Sequence, residues 1–311
     1  MTSRAKTNWR LRTRTLELGR RTLIMGVVNI TPDSFSDGGT FLDANAAIAH
    51  GLQLIDEGAD ILDLGAESTR PGSRAGGGAG SVNAPAVSAE EEQARLLPVL
   101  EGLLAVWPKA ILSVDTYKAA TARAALAAGA EVINDVSGFL WDAEMPAVCA
   151  AFKSGVILMH TRGRPEQWRT LPALSPDEVL ATVRAGLSAC LDTAVRATIA
   201  PESMVLDPGY GFGKRLNENY ALLNRQAELL SIGRPLLAGV SRKSFLGHTV
   251  ADLVKHQVAP SAGRETASLA AMVAAILNGA SIVRVHAVKS AVDAARVADA
   301  VLFTQAATTA S

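Results

Sequence analysis

The feature that most constrains the fold of this chain is a rhythm of strands. Eight short aliphatic runs recur in order: TLIMGVVN, ADILDLG, AILSVDT, AEVINDVS, GVILMH, SMVLDPG, PLLAGVS and ASIVRVHA. Each ends in a polar or glycine-bearing cluster, and the seven segments between them are long enough to return the chain to the start of a parallel neighbour. Several of these segments read as helices, among them LDANAAIAHGLQLIDEG, SAEEEQARLLPVLEGLLAV and YKAATARAALAAG. Strands covered on both faces are apolar along most of their length, and strands alternating with helices imply a parallel sheet. Eight such units in about 270 residues predict a closed (β/α)8 TIM barrel, with an open doubly wound sheet as the structural alternative. The nucleotide signature of the open sheet, GxGxxG after the first strand, is absent. GFGKR at 211–215 matches neither that motif nor a P-loop.

The expected organisation is an α/β chain with one barrel over residues 23–311, preceded by a segment at 1–22. Within that segment WRLRTRTLELGRR alternates from Trp9 to Leu18, which suits a β-hairpin covering the bottom of the barrel. The Gly-rich stretch GSRAGGGAGSVNAPAVS, at about 72–88, reads as an insert in the second loop after a strand. Ordering its glycines would be costly, so mobility is predicted there.

Bulk properties exclude several classes of function. The 311 residues are 49% hydrophobic, and 30 basic residues balance 30 acidic ones, so no nucleic-acid or membrane-surface partner is indicated. A local positive pocket for a small anion remains compatible with that balance. Cys149 and Cys190 lack the spacing of a metal knuckle or redox pair and read as buried structural thiols. SLAAMVAAILNGA is too short to span a membrane. The Arg-rich first 21 residues lead into no secretory apolar region, so a cytoplasmic location is expected, with an organellar targeting peptide as the alternative.

In such a barrel the C-terminal strand ends form one rim, where catalytic groups collect. The candidates there are Asn29, Asp63, Glu67, Asp115, Asn134, Asp135, His160, Asp207, Lys243, Arg284 and His286; the alternative reading of any single one is a helix cap or a loop brace. Asp115, Asn134, Asp207 and Lys243 supply acceptors and donors suited to a flat heterocycle with an N–H-rich edge. Arg284 and His286 stand two apart on the last strand and share a face, a pairing suited to a diphosphate. Lys243 and Ser244 begin a helix, where backbone amides favour an anion. His160 is isolated and reads either as structural or as a ligand contact. No cluster has protein-built zinc spacing. A magnesium ion carried on a phosphate ester needs few protein ligands, and Asn29 is positioned to provide one.

The chain resembles the dihydropteroate synthases from about Trp9 onward. MGVVNITPDSFSDGG, GAESTRPGS, SVDTYKA, INDVSG, LMH..G.P, DPGYGFGK, GVSRKSFLG and RVH occur in family order. The resemblance implies that Asp115, Asn134, Asp207 and Lys243 bind a pterin ring, with Asp63 deeper and Met159, Gly239 and Phe212 as apolar walls. It implies diphosphate and magnesium contacts at Asn29, Arg284 and His286, joined by Arg70. Phe35, Thr69, Pro71 and Ser244 would meet 4-aminobenzoate, and Asp115, Lys243, Arg284, His286, Thr69 and Arg70 would carry the catalysis. The implied reaction condenses (7,8-dihydropterin-6-yl)methyl diphosphate with 4-aminobenzoate, releasing diphosphate. The implied cofactor is Mg2+, and the implied partner is a second copy of the chain in a homodimer.

Four departures from the family pattern stand out. Ala66 replaces a common glycine, which costs little if its backbone angles are ordinary. Ala287 follows RVH where aspartate is usual, removing an expected helix cap. The insert lengthens the second loop, and GRETASLAA differs from the commoner Gly-Thr version. A corrinoid methyltransferase barrel or a non-catalytic pterin-binding or phosphate-binding barrel would share the fold. The methyltransferase has no use for the loop motifs; Ala287 and the insert speak for the non-catalytic barrel, and the intact set of Asn29, Asp115, Asp207, Lys243, Arg284 and His286 speaks against it.

Overall fold

The computed structural model describes residues 4–30, 40–67, 87–251, 259 and 261–308. The eight predicted runs form β3 (Leu23–Asn29), β4 (Ile61–Gly65), β5 (Leu112–Asp115), β6 (Val132–Asp135), β7 (Gly155–Met159), β8 (Met204–Asp207), β9 (Leu236–Ala238) and β10 (Ala280–Val285). They pair in parallel and close into a barrel, β10 returning to β3 through Ile282–Leu23 to Val285–Gly26. Outside it lie α1 (Thr40–Asp56), α2 (Ala89–Val106), α3 (Ala119–Ala128), α4 (Met145–Phe152), α5 (Pro176–Arg196), α6 (Leu216–Asn224), α7 (Ser244–Thr249), α8 (Glu265–Leu277) and α9 (Val288–Thr308).

Local chemistry sets the helix ends. Ser88 caps α2 and Ser175 caps α5, each in a reciprocal capping box with a glutamate three residues on, Glu91 and Glu178. α3 stops at Gly129, whose left-handed φ of 117° lets the chain turn. Because Ser88 is a cap and Val87 is buried, the last two residues of the Gly-rich stretch belong to the helix entry. Residues 72–86 lie outside the described residues, as does the loop at 31–39.

Alternation along the strands separates two cores. Outward residues such as Ile24, Leu62, Val114 and Val283 pack against the helix ring. Inward residues Met25, Ile61, Val132, Ile157, Val205, Leu237 and Ile282 form a floor with Trp9, Leu11 and Leu18 of the N-terminal hairpin. That hairpin comprises β1 (Thr7–Arg10) and β2 (Thr15–Leu18), paired antiparallel. Trp9 is fully buried, and its indole N–H donates to the Ser203 carbonyl at 3.0 Å. A Cβ at Gly155 would come within 2.8 Å of Leu11 Cδ2, so glycine at the foot of β7 makes room for the plug. Farther along the hairpin, the Thr13 N–H donates to the Glu131 carboxylate at 2.8 Å. The bottom of the barrel is therefore closed by the chain's own first strands.

Candidate active site

Two residues above the floor the same inward positions turn polar. Asp63 on β4 is completely buried and lies at the centre of a network. Its Oδ1 accepts from Ser113 Oγ at 2.6 Å, and its Oδ2 accepts from Asn134 Nδ2 at 3.0 Å and Arg284 Nε at 2.6 Å. Arg284 also donates from Nη2 to Asp115 Oδ2 at 2.8 Å. One guanidinium therefore lies between two carboxylates at the barrel mouth. The side chains of Asp115 and Arg284 keep 16% and 21% exposure, so this pair faces outward while Asp63 does not.

The electrostatics follow from one positive charge serving two negative ones. Burial raises Asp115 to about 7, Arg284 and Lys243 pull it back down, and Asp63 and Glu92 add to the rise. Burial works against the charge on Arg284, but Asp63 and Asp115 outweigh it and hold the guanidinium above its ordinary value.

A second group stands across the mouth on β7, β8 and β9. Asp207 Oδ1 accepts from the Gly209 N–H at 2.7 Å. Burial raises its pKa, against the Gly209 bond and the charges of Lys243, Lys214 and Arg284. Lys243 Nζ lies 4.0 Å from the centroid of the Phe212 ring, a cation–π arrangement, and Trp168 meets that ring edge-on at 5.4 Å. Met159 is buried beside the turn at Gly209. A Cβ at Gly239 would lie 3.6 Å from Asp207 Oδ2 and 3.9 Å from Arg284 Cβ, so glycine keeps that wall at backbone height.

The turn delivering Lys243 is a strained one. Arg242 adopts φ +58°, unusual for a residue with a side chain, and is fixed from two directions. Its N–H donates to Ser268 Oγ at 2.8 Å, and its carbonyl accepts from Arg264 Nη1 at 3.0 Å. The chain then enters α7 with Lys243 at the cap and Ser244 as the first helical residue. His286 follows β10, its Nδ1 hydrogen-bonded to Ser241 Oγ at 2.9 Å. Asn29 ends β3 opposite Gly65, the last residue of β4.

Not every rim candidate joins the site. His160 turns outward onto α5, where a Cβ at Gly186 would come 2.4 Å from its Cδ2. Burial, Lys214 and Arg162 push its pKa well down, so this imidazole is neutral and packs structurally. Asp135 braces its own loop, accepting from the N–H groups of Ser137 at 2.7 Å and Phe139 at 2.9 Å. Glu67 turns to Lys118 instead. Phe35, Thr69, Arg70 and Pro71 lie outside the described residues.

A family model described as pterin binding enzyme matches residues 25–286. The dihydropteroate synthase of Mycobacterium leprae is 43% identical over 89% of this chain and 92% of its own length. The chain belongs to the dihydropteroate synthase family. Among solved structures, the Xanthomonas albilineans dihydropteroate synthase with 4-aminobenzoic acid superposes with a TM-score of 0.82 at 40% identity, over 96% of this chain and 98% of that one. The same organism's enzyme in complex with 7,8-dihydropteroate gives 0.78 at 39% identity, over 94% and 98%.

Two departures from the dihydropteroate synthase pattern are accommodated locally. Ala66 is buried and avoids a left-handed backbone, so the side chain it adds costs no strain. The cap missing at Ala287 comes from another element. Glu57, just beyond α1, accepts from the Lys289 N–H in the first turn of α9 at 3.3 Å.

Sequence reasoning missed Ser113, Ser241 and Lys214. Ser113 and Ser241 each stand two residues before a recognised site residue, Asp115 and Lys243, and for Ser113 strand alternation was the available signal. Lys214 donates to the carbonyls of Gly209 at 2.7 Å and of His160 and Phe212 at 3.3 Å, tying the β8 loop to the end of β7. Burial lowers its pKa to about 7, with Asp207 pulling the other way. The two cysteines are buried and unpaired, and burial pushes both thiols up to about 12, which makes them inert.

Proposed function

We propose that this barrel condenses (7,8-dihydropterin-6-yl)methyl diphosphate with 4-aminobenzoate, forming the C–N bond of 7,8-dihydropteroate and releasing diphosphate. The chain is a transferase of its family. The observation that carries the reading is the convergence of Asp63, Asp115, Asn134, Asp207, Lys243 and Arg284 on one mouth, with Phe212 as an apolar wall. An ionised carboxylate only accepts, so Asp207 and Asp115 suit the N–H edge of the pterin, while the Asn134 amide reads a neighbouring lactam. Met159, Phe212 and Gly239 bound the flat ring.

Arg284 uses Nε and one Nη2 proton on Asp63 and Asp115, and a guanidinium has further N–H donors for a phosphate oxygen. Ser241 orients the His286 ring beside it. With Arg70, these groups would stabilise the negative charge that grows on the leaving diphosphate. Asp115 lies where a carboxylate offsets positive charge spreading into the pterin as the C–O bond breaks. The aryl amine needs orientation more than activation. Ser244 at the start of α7 is the candidate for its carboxylate, with Phe35, Thr69 and Pro71 enclosing it. No covalent enzyme intermediate is required.

Magnesium fits this donor chemistry. Asn29 offers one hard amide oxygen, and among the described residues no group of three His, Cys, Asp or Glu side chains forms a protein cage, so the remaining ligands would be phosphate oxygens and water. When bound, the ion would neutralise leaving-group charge. A homodimer is supported by the apolar face of α9, where Val297 and Val301 stand one turn apart and exposed. A cytoplasmic location accords with the unpaired cysteines and with the lack of a described helix long and apolar enough to cross a membrane.

The test is a coupled diphosphate-release assay with both substrates and magnesium. Release that depends on 4-aminobenzoate is expected, and its absence would overturn the assignment. Lys243→Ala should weaken pterin diphosphate binding in calorimetry. Unchanged affinity would remove Lys243 from the pterin site.

A further inference from the structure

Lys118 lies outside the pterin pocket, yet several groups hold its ammonium at once. Its Nζ donates to Glu67 and, at 3.1 Å, to Glu92 Oε2, and it stands 4.6 Å from the centroid of the Tyr117 ring. Three N–H donors thus meet two carboxylates and a π face. The two glutamates have other partners as well. Tyr117 OH donates to Glu67 Oε1 at 3.3 Å, and Thr121 Oγ1 donates to Glu92 Oε2 at 2.8 Å. Side-chain exposures of 15%, 4% and 2% for Lys118, Glu67 and Glu92 put the triad largely out of water.

The backbone carrying Lys118 is itself fixed. Its N–H donates to Thr116 Oγ1 at 3.1 Å, and the next N–H, of Ala119, donates to Asp142 Oδ2 at 2.8 Å. The lysine is therefore mounted on the β5 and β6 loops. Its two carboxylate partners mark the ends of one chain segment. Glu67 is the last described residue after β4, Val87 and Ser88 lead into α2, and Glu92 lies in the first turn of that helix. Residues 68–86, between those ends, carry Thr69, Arg70 and Pro71.

We propose that Lys118 is a positioning residue for the synthase reaction, a clasp that sets the separation of the two ends of the segment bearing Thr69, Arg70 and Pro71. The inference rests on the functional reading above for the roles of those three residues. One ammonium bound to both carboxylates fixes where the segment departs and where it returns. A buried ionic triad is a poor way to gain stability, because desolvation offsets most of the attraction and apolar packing would serve as well. What it supplies is geometry. The charge count agrees. With two carboxylates on one lysine, burial raises the pKa of Glu67, while Glu92 and Glu67 together overcome the effect of burial and hold Lys118 above its ordinary value.

The experiment compares Lys118→Met, Lys118→Arg and the triple variant Glu67→Gln/Glu92→Gln/Lys118→Met, which removes all three charges and leaves no buried charge unpaired. Lys118→Met and the triple variant should raise KM for 4-aminobenzoate roughly tenfold or more, because small displacements of orienting groups are costly. Calorimetric affinity for the pterin diphosphate should fall much less, since Arg70 is its one assigned contact in that segment, and Lys118→Arg should restore most of the loss. Amide hydrogen exchange at Gly65–Glu67 and Val87–Glu92 should accelerate in both charge-removing variants. An unchanged KM in a folded triple variant, or an equal loss for both substrates, would overturn the clasp. Wild-type protein without 4-aminobenzoate-dependent turnover would defeat the synthase reading instead. The exchange rates would then decide the clasp alone, with unaltered rates overturning it.

Discussion

Ile61 and Asp63, Val132 and Asn134, Val205 and Asp207, and Ile282 and Arg284 are pairs two residues apart on four strands. In each pair the first member packs into the floor with Trp9 and Leu18, and the second stands at the mouth. The backbone, the strands and the inward direction are common to both layers, which lie only about 7 Å apart along each strand. The lower layer is sealed by a hairpin and makes its contacts through apolar surface. In the upper layer almost every side chain makes a directional bond to a partner on another strand. The difference shows where this fold separates stability from chemistry. The floor tolerates no water and needs no charge, while the mouth holds charge whose partners must be shared.

That contrast can be broken or sharpened by substitution. Trp9→Ala should produce the largest change, a loss of about 3–5 kcal/mol in unfolding free energy, from removal of a large buried ring and of its bond to Ser203. Denaturant unfolding would measure it, and kcat/KM of the folded enzyme should stay at the wild-type value. A catalytic defect in folded Trp9→Ala protein would mean that floor and mouth are coupled. Arg284→Met should do the converse. Turnover should fall about 10²–10³-fold through loss of charge stabilisation, while the melting temperature moves less than in Trp9→Ala because the buried Asp63 keeps its bonds from Ser113 and Asn134. Normal kcat and KM in steady-state assays would contradict the role given to Arg284.

The smallest effect is one of pH. In the folded protein Asp115 is raised to about 7 from an ordinary 3.8, so the folded state binds this proton more tightly than the unfolded chain does. Its stabilising contribution is therefore complete below pH 3.8 and is lost as pH rises through about 7. Asparagine cannot titrate. The melting temperature of Asp115→Asn relative to wild type should accordingly improve as pH increases across that window. A difference that stays constant with pH would show that the Asp115 carboxyl is not perturbed.

Much of this molecule was legible in its residues because periodicity is local. An aliphatic run with an inward–outward alternation must be covered on both sides, whatever lies elsewhere in the chain. Eight such runs with helical returns leave few alternatives to a closed barrel. The polar residues at the ends of those runs were legible for the same reason, and Ser113 is the case in which the alternation signal was present and unread. Partnerships were less accessible. The bond between Asp63 and Arg284 joins residues 221 apart in sequence, and nothing near either predicts that one guanidinium serves two carboxylates. His160 read either as structural or as a ligand contact, and only its packing on α5 at Gly186 separates the two.

The sequence alone therefore determined the architecture, the family and the identity of most groups at the mouth, because strand period, capping residues and motif order are written in neighbouring positions. Only the tertiary structure decided which of those groups pair, which turn away, and which two carboxylates meet on Lys118. Those outcomes depend on distances between elements, and such distances exist only once the barrel has closed. Glu57 capping α9 in place of the residue lost at Ala287 illustrates the division. The missing cap could be read from one position, whereas its replacement required a carboxylate at the end of α1 to come within hydrogen-bond reach of the last helix.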